Sequence, residues 1–326
     1  MDLQRMLDKC RRDQWSVDDL DWSIEPRALS RDDELAIVQY FVDMAGIERL
    51  AKALFEVQRD RAKDATLRAI FDTFVVDEER HAVAAERLAA HYDRHHYKSY
   101  QLSPSLVRFR PHFLDAVRLV PASLANIYIT GGELILDVAL LRSIDDYVDD
   151  EMSKRAMYLI NRDESRHIAM DYYMVEYYAS DEYTRYLRSL PIRLLPLARG
   201  LYATAGLMWY ARPFAKEVFF APMQVVDPAG KRIREAFKRL QLLSRKPDVA
   251  RQPFARFMNA VQIAYNTRAG RLLLGNVLTR IAGVPGEALA LLHTDDEGRR
   301  AAGMSFDELA EEALGVKYGQ GAFGNA

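Results

Sequence analysis

The chain has 326 residues, of which 49% are apolar and 28% are charged, and its formal net charge is −2. This balance is typical of soluble globular proteins and gives no electrostatic reason to expect nucleic acid as a partner. The only cysteine, Cys10, excludes an internal disulfide framework, a CxxC redox pair and any cysteine-based zinc or iron–sulfur site. It fits a protein of the reducing cytoplasm.

Neither an export signal nor a membrane span is expected from the sequence. The first residues, MDLQRMLDKCRRDQW, lack the apolar core of a signal peptide. The apolar stretch near 189–210 is interrupted by Arg193 and Arg199. We therefore expect a cytoplasmic protein.

Apolar residues recur at spacings of three and four along most of the chain, which predicts an all-α fold. After an N-terminal arm, residues 1–30, the sequence predicts four long helices, at about 31–60, 64–95, 120–146 and 151–180. Asp64 is a suitable N-cap for the second helix and Pro121 a suitable first-turn residue for the third. Residues 96–119 form a longer crossover between the two pairs. Residues 31–180 are thus predicted to be a four-helix bundle.

The C-terminal half is predicted to add helices that pack on this bundle over residues 181–318. Three helical patterns follow one another there, at about 184–222, 228–245 and 249–283. An aromatic group that includes Trp209 and Phe214 is predicted to be part of the core. The Gly-rich tail, residues 319–326, spells GxGxxG but follows no predicted strand and opens no helix, so it is a flexible tail and not a dinucleotide site.

Each of the four bundle helices carries a glutamate on its apolar seam, and two of them also carry a histidine three residues further on. These candidate metal ligands are Glu48, Glu78, His81, Glu133, Glu164 and His167. Ionised carboxylates in an apolar interior are costly unless a positive charge meets them. The pattern therefore indicates cations in the centre of the bundle.

The four glutamates are predicted to lie at similar depth. Glu48 and Glu78 are 14 and 16 residues from the first turn, and Glu133 and Glu164 are 16 and 15 residues from the second. Two divalent ions would balance four glutamates, with both histidines neutral. Carboxylates with one imidazole per ion suit iron or manganese better than structural zinc.

Single glutamates on two helices and Glu-x-x-His on two others characterise ferritin-like di-iron carboxylate proteins. Here both motifs have the longer form DExRH, at residues 77–81 and 163–167. This doubled motif resembles those of bacterial multicomponent monooxygenases and acyl-carrier-protein desaturases over about residues 31–180. The resemblance implies a ferritin-like four-helix bundle, two iron ions, with manganese as an alternative at either position, and O2 as a co-substrate.

The other charged residues of the two motifs would support the histidines. By the resemblance, each aspartate would hydrogen-bond the imidazole of the opposite motif, Asp163 that of His81 and Asp77 that of His167. The neighbouring arginines would hold these aspartates in place: Arg80 and Arg166. No catalytic residue is predicted beyond the metal ligands and this supporting group.

The function expected from this resemblance is that of an O2-activating di-iron oxygenase or oxidase that hydroxylates, N-oxygenates or desaturates a small organic substrate. The sequence has no nicotinamide, flavin or iron–sulfur motif, so electrons would come from a separate ferredoxin or reductase. The oligomeric state is left open, a homodimer included.

Two other functions are compatible with the ligand pattern. The first is that of a ferroxidase or iron-storage protein, although residues 181–326 exceed what a ferritin bundle needs. The second is that of a radical protein like the ribonucleotide reductase small subunit, which normally has a tyrosine where this chain has Ala85. Di-iron N-oxygenases of the para-aminobenzoate oxidase type carry an additional histidine where this chain has Ile160. Gly131 and Gly132, before Glu133, allow either close helix packing or space for O2 or substrate.

Overall fold

A computed structural model describes residues 1–189, 194–272 and 289–317 of the chain. Every regular element within these ranges is helical and no strand occurs in them, so the predicted all-α fold is confirmed. The predicted tail, residues 319–326, lies outside the described residues, as does the end of the helical pattern predicted over 249–283.

The N-terminal half contains a short first helix and the elements predicted as the bundle. The helices are α1 (Leu3–Arg12), α2 (Arg31–Arg61), α3 (Ala65–Tyr92), α4 (Pro104–Leu119), α5 (Ala122–Ile135), α6 (Arg142–Val148) and α7 (Glu151–Ala179). A π-helical segment, Leu136–Leu141, joins α5 to α6 without a break. The predicted third helix is therefore one long rod with a wider turn in its middle.

The C-terminal half consists mostly of shorter helices, and α10 to α13 each begin next to a proline or a glycine. They are α8 (Asp181–Ser189), α9 (Leu194–Phe214), α10 (Ala221–Val226), α11 (Lys231–Leu243), α12 (Pro247–Ala250), α13 (Pro253–Asn266), α14 (Asp295–Gly303) and α15 (Phe306–Lys317). A second π-helical segment, Ala215–Phe220, links α9 to α10.

Side-chain caps explain where the long helices begin. Asp64 is the N-cap of α3 and accepts a hydrogen bond from the backbone N–H of Leu67 at 2.7 Å, as the sequence predicts. Asp150 caps α7 in the same way. Pro121 stands at the N-cap position of α5, one residue before the first turn to which it was assigned.

Four helices enclose the interior in which the candidate ligands lie. α2 packs along α3, and α5 packs along α7; α2 also contacts α5, and α3 contacts α7. The sides that face each other carry fully buried apolar residues: Phe41, Met44, Phe55, Phe74 and Ile160. These contacts close the four helices around one interior.

The remaining helices cover this group of four from outside. The crossover over 96–119 contains the helix α4, which packs between α2 and α9, with Pro104 in its first turn. α1 lies on α3 and α7, α11 on α5, and α15 on α7.

The prediction that the aromatic residues near 209–220 form core is wrong for Trp209. Phe214 is buried and stacks on Phe109, but Trp209 is 76% exposed. The reason is that α9 packs on α4 through the face that holds Ala203 and Leu207. Trp209 lies on the other face of α9, beside the equally exposed Tyr202.

By length and composition alone, the run Ala122–Val148 is apolar enough to cross a membrane, and it is the one such helix among the described residues. In the fold, 71% of its most apolar window is buried, as in a core helix. The most apolar stretch that the sequence analysis names, near 189–210, does not overlap this helix.

Candidate metal centre

The six residues predicted to bind metal lie together in the interior of the four-helix group. α2 supplies one of them, α3 and α7 two each, and α5 the sixth. Five have no exposed surface and Glu133 is 5% exposed. They are Glu48, Glu78, His81, Glu133, Glu164 and His167.

These residues form two overlapping groups that could each hold a metal ion. Glu48 and His81 belong to one group, Glu133 and His167 to the other, and both groups share Glu78 and Glu164. Within each group, one ligand atom from every residue lies within 4.8 Å of the others. The two candidate sites are therefore adjacent and have two carboxylates in common. The sequence pattern identifies the six residues but not which of them are shared.

Both histidines direct Nδ1 towards the carboxylates. Nδ1 of His81 lies 3.0 Å from Glu164 Oε1, and Nδ1 of His167 lies 3.0 Å from Glu78 Oε1. The opposite ring nitrogens face aspartates: Nε2 of His81 is 3.2 Å from Asp163 Oδ2, and Nε2 of His167 is 3.5 Å from Asp77 Oδ2. In the tautomer that carries its proton on Nε2, each imidazole leaves the lone pair of Nδ1 for a metal, and the facing aspartates favour this tautomer.

Two arginines hold these aspartates from behind. Nη2 of Arg166, which is fully buried, donates to Asp163 Oδ1 at 2.7 Å and to Asp77 Oδ2 at 3.3 Å. Arg80 donates to Asp77 and, at 2.9 Å, to Asp163 Oδ2. The two aspartates and two arginines therefore balance in charge, and the four glutamates carry the remaining negative charge.

The donor set suits divalent cations. The four carboxylate oxygens of Glu48 and Glu78 are buried, and none of them accepts a hydrogen bond from the described residues. Buried ionised oxygens without a partner are strongly disfavoured, and a cation between them would remove that penalty. Four carboxylates and two imidazoles fit iron or manganese, whose preferred ligands these are.

The pKa values of the candidate ligands are shifted in the direction expected for a carboxylate cluster that lacks positive charge. Burial, with the neighbouring Glu164, raises the pKa of Glu48 to about 7 and that of Glu78 well above its ordinary value. Burial disfavours the charged histidines, but the facing carboxylates outweigh it and raise the pKa of His81 to about 10 and of His167 to about 9. The raised pKa values of both glutamates follow from burial of several carboxylates without a cation among them.

Metal affinity is expected to rise with pH between 6 and 8. Glu48 and Glu78 must lose protons to bind a cation, and His81 and His167 must be neutral, while their pKa values are all raised. Each bound ion should displace at least one proton, so affinity should change roughly tenfold or more per pH unit. Titration with Mn(II), followed by electron paramagnetic resonance and by proton release, measures both quantities. An affinity that does not change over this range would contradict the assignment.

The backbone around Glu133 departs from a regular α-helix. The π-helical segment Leu136–Leu141 begins three residues after it, and such segments are frequent at functional sites. Among the side chains that the structure describes, a Cβ at Gly131 would make only ordinary contact with Leu240, and a Cβ at Gly132 would meet nothing within 4 Å. Contacts with the described side chains therefore do not require either glycine.

The N-terminal arm contributes contacts that the sequence does not predict. Nε1–H of Trp15 donates to Asp163 Oδ2 at 2.7 Å, and the guanidinium of Arg80 lies over the Trp15 ring. Gln14 donates to Asp77 Oδ1 at 3.1 Å. These side chains close the outer side of the aspartate–arginine group. No periodic pattern marks them, because the partners of Trp15 and Gln14 are far away in the sequence.

Replacing Asp163 by asparagine is expected to weaken metal affinity roughly ten- to a hundredfold, because the amide no longer fixes the tautomer and orientation of His81 as the carboxylate does. The matched control is Glu79→Gln, since Glu79 is partly exposed and pairs with Arg49 and Lys52 on the outer side of α3. Mn(II) titration of both variants is the measurement. Equal affinities for the two variants would show that Asp163 does not support the site.

Two positions at which the sequence analysis contrasts this chain with known di-iron proteins are apolar here. Ile160 and Ala85 are both fully buried in the core beside the site. The chain therefore has neither the additional histidine of the N-oxygenases nor the tyrosine of a radical-generating small subunit at these positions.

Comparison of the chain with models of protein families, with curated proteins and with solved structures gives no match. What can be stated of the site therefore comes from its own geometry: a buried carboxylate and histidine cluster that could bind metal ions.

Proposed function

We propose that the chain is a ferritin-like non-haem di-iron oxidoreductase that activates O2 to oxidise a small organic substrate. The observation that supports this proposal is the pair of metal-binding groups that share Glu78 and Glu164. Two iron ions bound there would supply the redox chemistry that splits O2. Manganese at either position fits the same ligands.

The protein residues have separate tasks in this proposal. Glu48 and His81 would hold one ion, Glu133 and His167 the other, and the two shared glutamates would contribute to the binding of both. Asp163, which is within hydrogen-bonding distance of His81 Nε2, would keep the proton of that imidazole on Nε2 and leave Nδ1 for metal. Asp77, 3.5 Å from Nε2 of His167, would act on the second imidazole in the same way. Arg166 and Arg80 in turn keep both aspartates ionised and in place.

Aromatic residues keep the site dry. The rings of Phe55 and Phe74 lie against His167, with ring centroids 5.0 Å and 4.1 Å from that of the imidazole. Phe41 and Met44 are fully buried on the same side of α2 as Glu48. Excluding water strengthens the electrostatic contacts inside the site and protects reactive species from side reactions.

Each turnover of such an oxygenase needs two electrons from outside the chain. The sequence contains no motif for nicotinamide, flavin or an iron–sulfur cluster, so the proposal includes a separate ferredoxin or reductase as donor. A cytoplasmic location and a homodimer remain predictions.

Iron oxidation by the metal-free protein tests this function against iron storage. Given excess Fe(II) and air, an oxygenase should oxidise about two ions per chain and then stall until reductant is added. A storage protein transfers each oxidised ion to a mineral core and continues. Reductant-free oxidation of tens of Fe(II) per chain into a soluble core would overturn the oxygenase proposal without affecting the ligand assignment.

A further inference from the structure

A pocket of about 270 Å³ lies between the metal-bearing helices and the C-terminal helices. α5 and α7 form one wall through Thr130, Gly131 and Val175, and α11 and α13 form the other. The second wall belongs to the part of the chain that has no counterpart in the doubled-motif resemblance. The function proposed above leaves this pocket without a role.

The lining is apolar and carries no charge. No aspartate, glutamate, lysine, arginine or histidine is among the residues that line the pocket in the described part of the chain. Apart from Thr130 on α5, its polar side chains come together on the α11–α13 wall: Gln241, Ser244, Asn259 and Gln262. An ionised ligand would lose its hydration there without a counter-charge, so the pocket suits a neutral molecule.

One of these polar groups has capacity left for a ligand. The side chain of Gln241 is engaged at both ends, by the Ala290 carbonyl and by the N–H of Leu292. Asn259 makes one side-chain hydrogen bond among the described residues, with Ser244 Oγ at 3.1 Å. In this orientation the NH2 group is left to donate to a hydroxyl or carbonyl oxygen, and with the amide turned over the free oxygen can accept from a hydroxyl group.

The pocket meets the candidate metal centre at Thr130. Gly131 is two positions from Glu133 and therefore lies on nearly the opposite side of α5. Thr130 is three positions from Glu133 and shares its face, and it also lines the pocket. A molecule in the pocket would contact the turn of α5 that positions Glu133.

We propose that this pocket binds a neutral, mainly apolar organic molecule with one hydrogen-bonding group. A dry cavity of about 150 Å³ holds benzene, so a pocket of this volume accepts roughly eleven heavy atoms at similar packing. Identifying this molecule class as the substrate rests on the function proposed above. The binding itself does not require it.

Calorimetric titration with 4-propylphenol tests the site, using the full chain both metal-free and loaded with Mn(II). We expect a dissociation constant on the order of 100 µM. 4-Propylbenzoate, which is similar in shape but ionised at pH 8, should bind at least about tenfold more weakly because its charge must be desolvated. No heat of binding with 4-propylphenol at millimolar concentration would overturn the proposal.

Two substitutions of the same kind on α13 locate the binding. Ala255 is buried and lines the pocket, whereas Ala260 is exposed, so Ala255→Phe should weaken binding at least about tenfold and Ala260→Phe should not change it. Met258 lies at the partly exposed edge, and Met258→Trp narrows the pocket if Ala255→Phe does not fold. Asn259→Leu should abolish the preference for 4-propylphenol over propylbenzene. Unchanged binding in both pocket-filling variants would overturn the assignment.

The titrations separate this inference from the proposed function. Binding of 4-propylphenol by a chain that takes up no metal would support the pocket and contradict the di-iron proposal. Uptake of two metal ions without binding of 4-propylphenol would contradict the pocket proposal and support the di-iron proposal.

Discussion

Replacing Glu164 by glutamine is expected to lower the metal content of the chain from two ions towards zero. Glu164 belongs to both of the groups that could hold a metal ion, and its two oxygens lie near both histidines, 3.0 Å from Nδ1 of His81 and 2.9 Å from Nδ1 of His167. The neutral amide removes one negative charge and one anionic ligand from each site. Affinity for both ions should therefore fall by a factor of about a thousand or more, which corresponds to a loss of about 4 kcal/mol or more in binding free energy.

The matched controls are Glu48→Gln and Glu133→Gln, because each of these residues belongs to only one group. Each control should lose one ion and keep the other with reduced affinity. Metal analysis after equilibration with Mn(II) at pH 8 distinguishes these outcomes. If Glu164→Gln kept two ions, or if all three variants lost metal equally, the shared position of Glu164 would be wrong.

Replacing Arg166 by methionine is expected to destabilise the chain by about 3–5 kcal/mol. Arg166 is fully buried and its guanidinium lies between Asp77 and Asp163, so its removal leaves two buried aspartates with much less compensation. Its guanidinium also helps to keep the pKa of Asp163 below the ordinary value, against the effect of burial. Urea unfolding of the metal-free protein measures the change.

The comparable surface arginine is Arg162, one turn earlier on α7. Its side chain is 33% exposed, and it lies 3.8 Å from Asp163 Oδ1 while donating to the backbone carbonyl of Asp13 at 2.5 Å. Arg162→Met should cost less than about 1 kcal/mol. If Arg166→Met also lost less than about 1 kcal/mol of unfolding free energy, the two buried aspartates would not depend on Arg166 for compensation.

The candidate ligands could be predicted because helix geometry is regular. Glu78 and His81 share a face for the same reason as Glu164 and His167, since residues three apart are neighbours on any α-helix. Their common depth follows from a constant rise per residue on both sides of a tight turn. The count for Glu133 runs through the π-helical segment Leu136–Leu141, and Glu133 still lies with the other ligands because one wider turn changes the depth by only about one residue.

Other features depend on contacts that no local pattern reveals. Trp15 reaches Asp163 across 148 positions, and the extended segment that carries it has no periodicity. Trp209 was assigned to the core because it is aromatic and stands in an apolar helix. Its exposure depends on which face of α9 packs on α4, and both faces of that helix are apolar. The pocket beside Thr130 requires knowledge of how the C-terminal helices lie on α5, which the sequence does not provide.

The metal content of the purified chain tests the central claim most directly. After expression in iron-replete medium and removal of loosely bound ions, elemental analysis should give about two iron or manganese ions per chain, because six ligands arranged as two groups with shared carboxylates make a dinuclear site. A content of one zinc ion per chain, or no metal at all, would contradict the account.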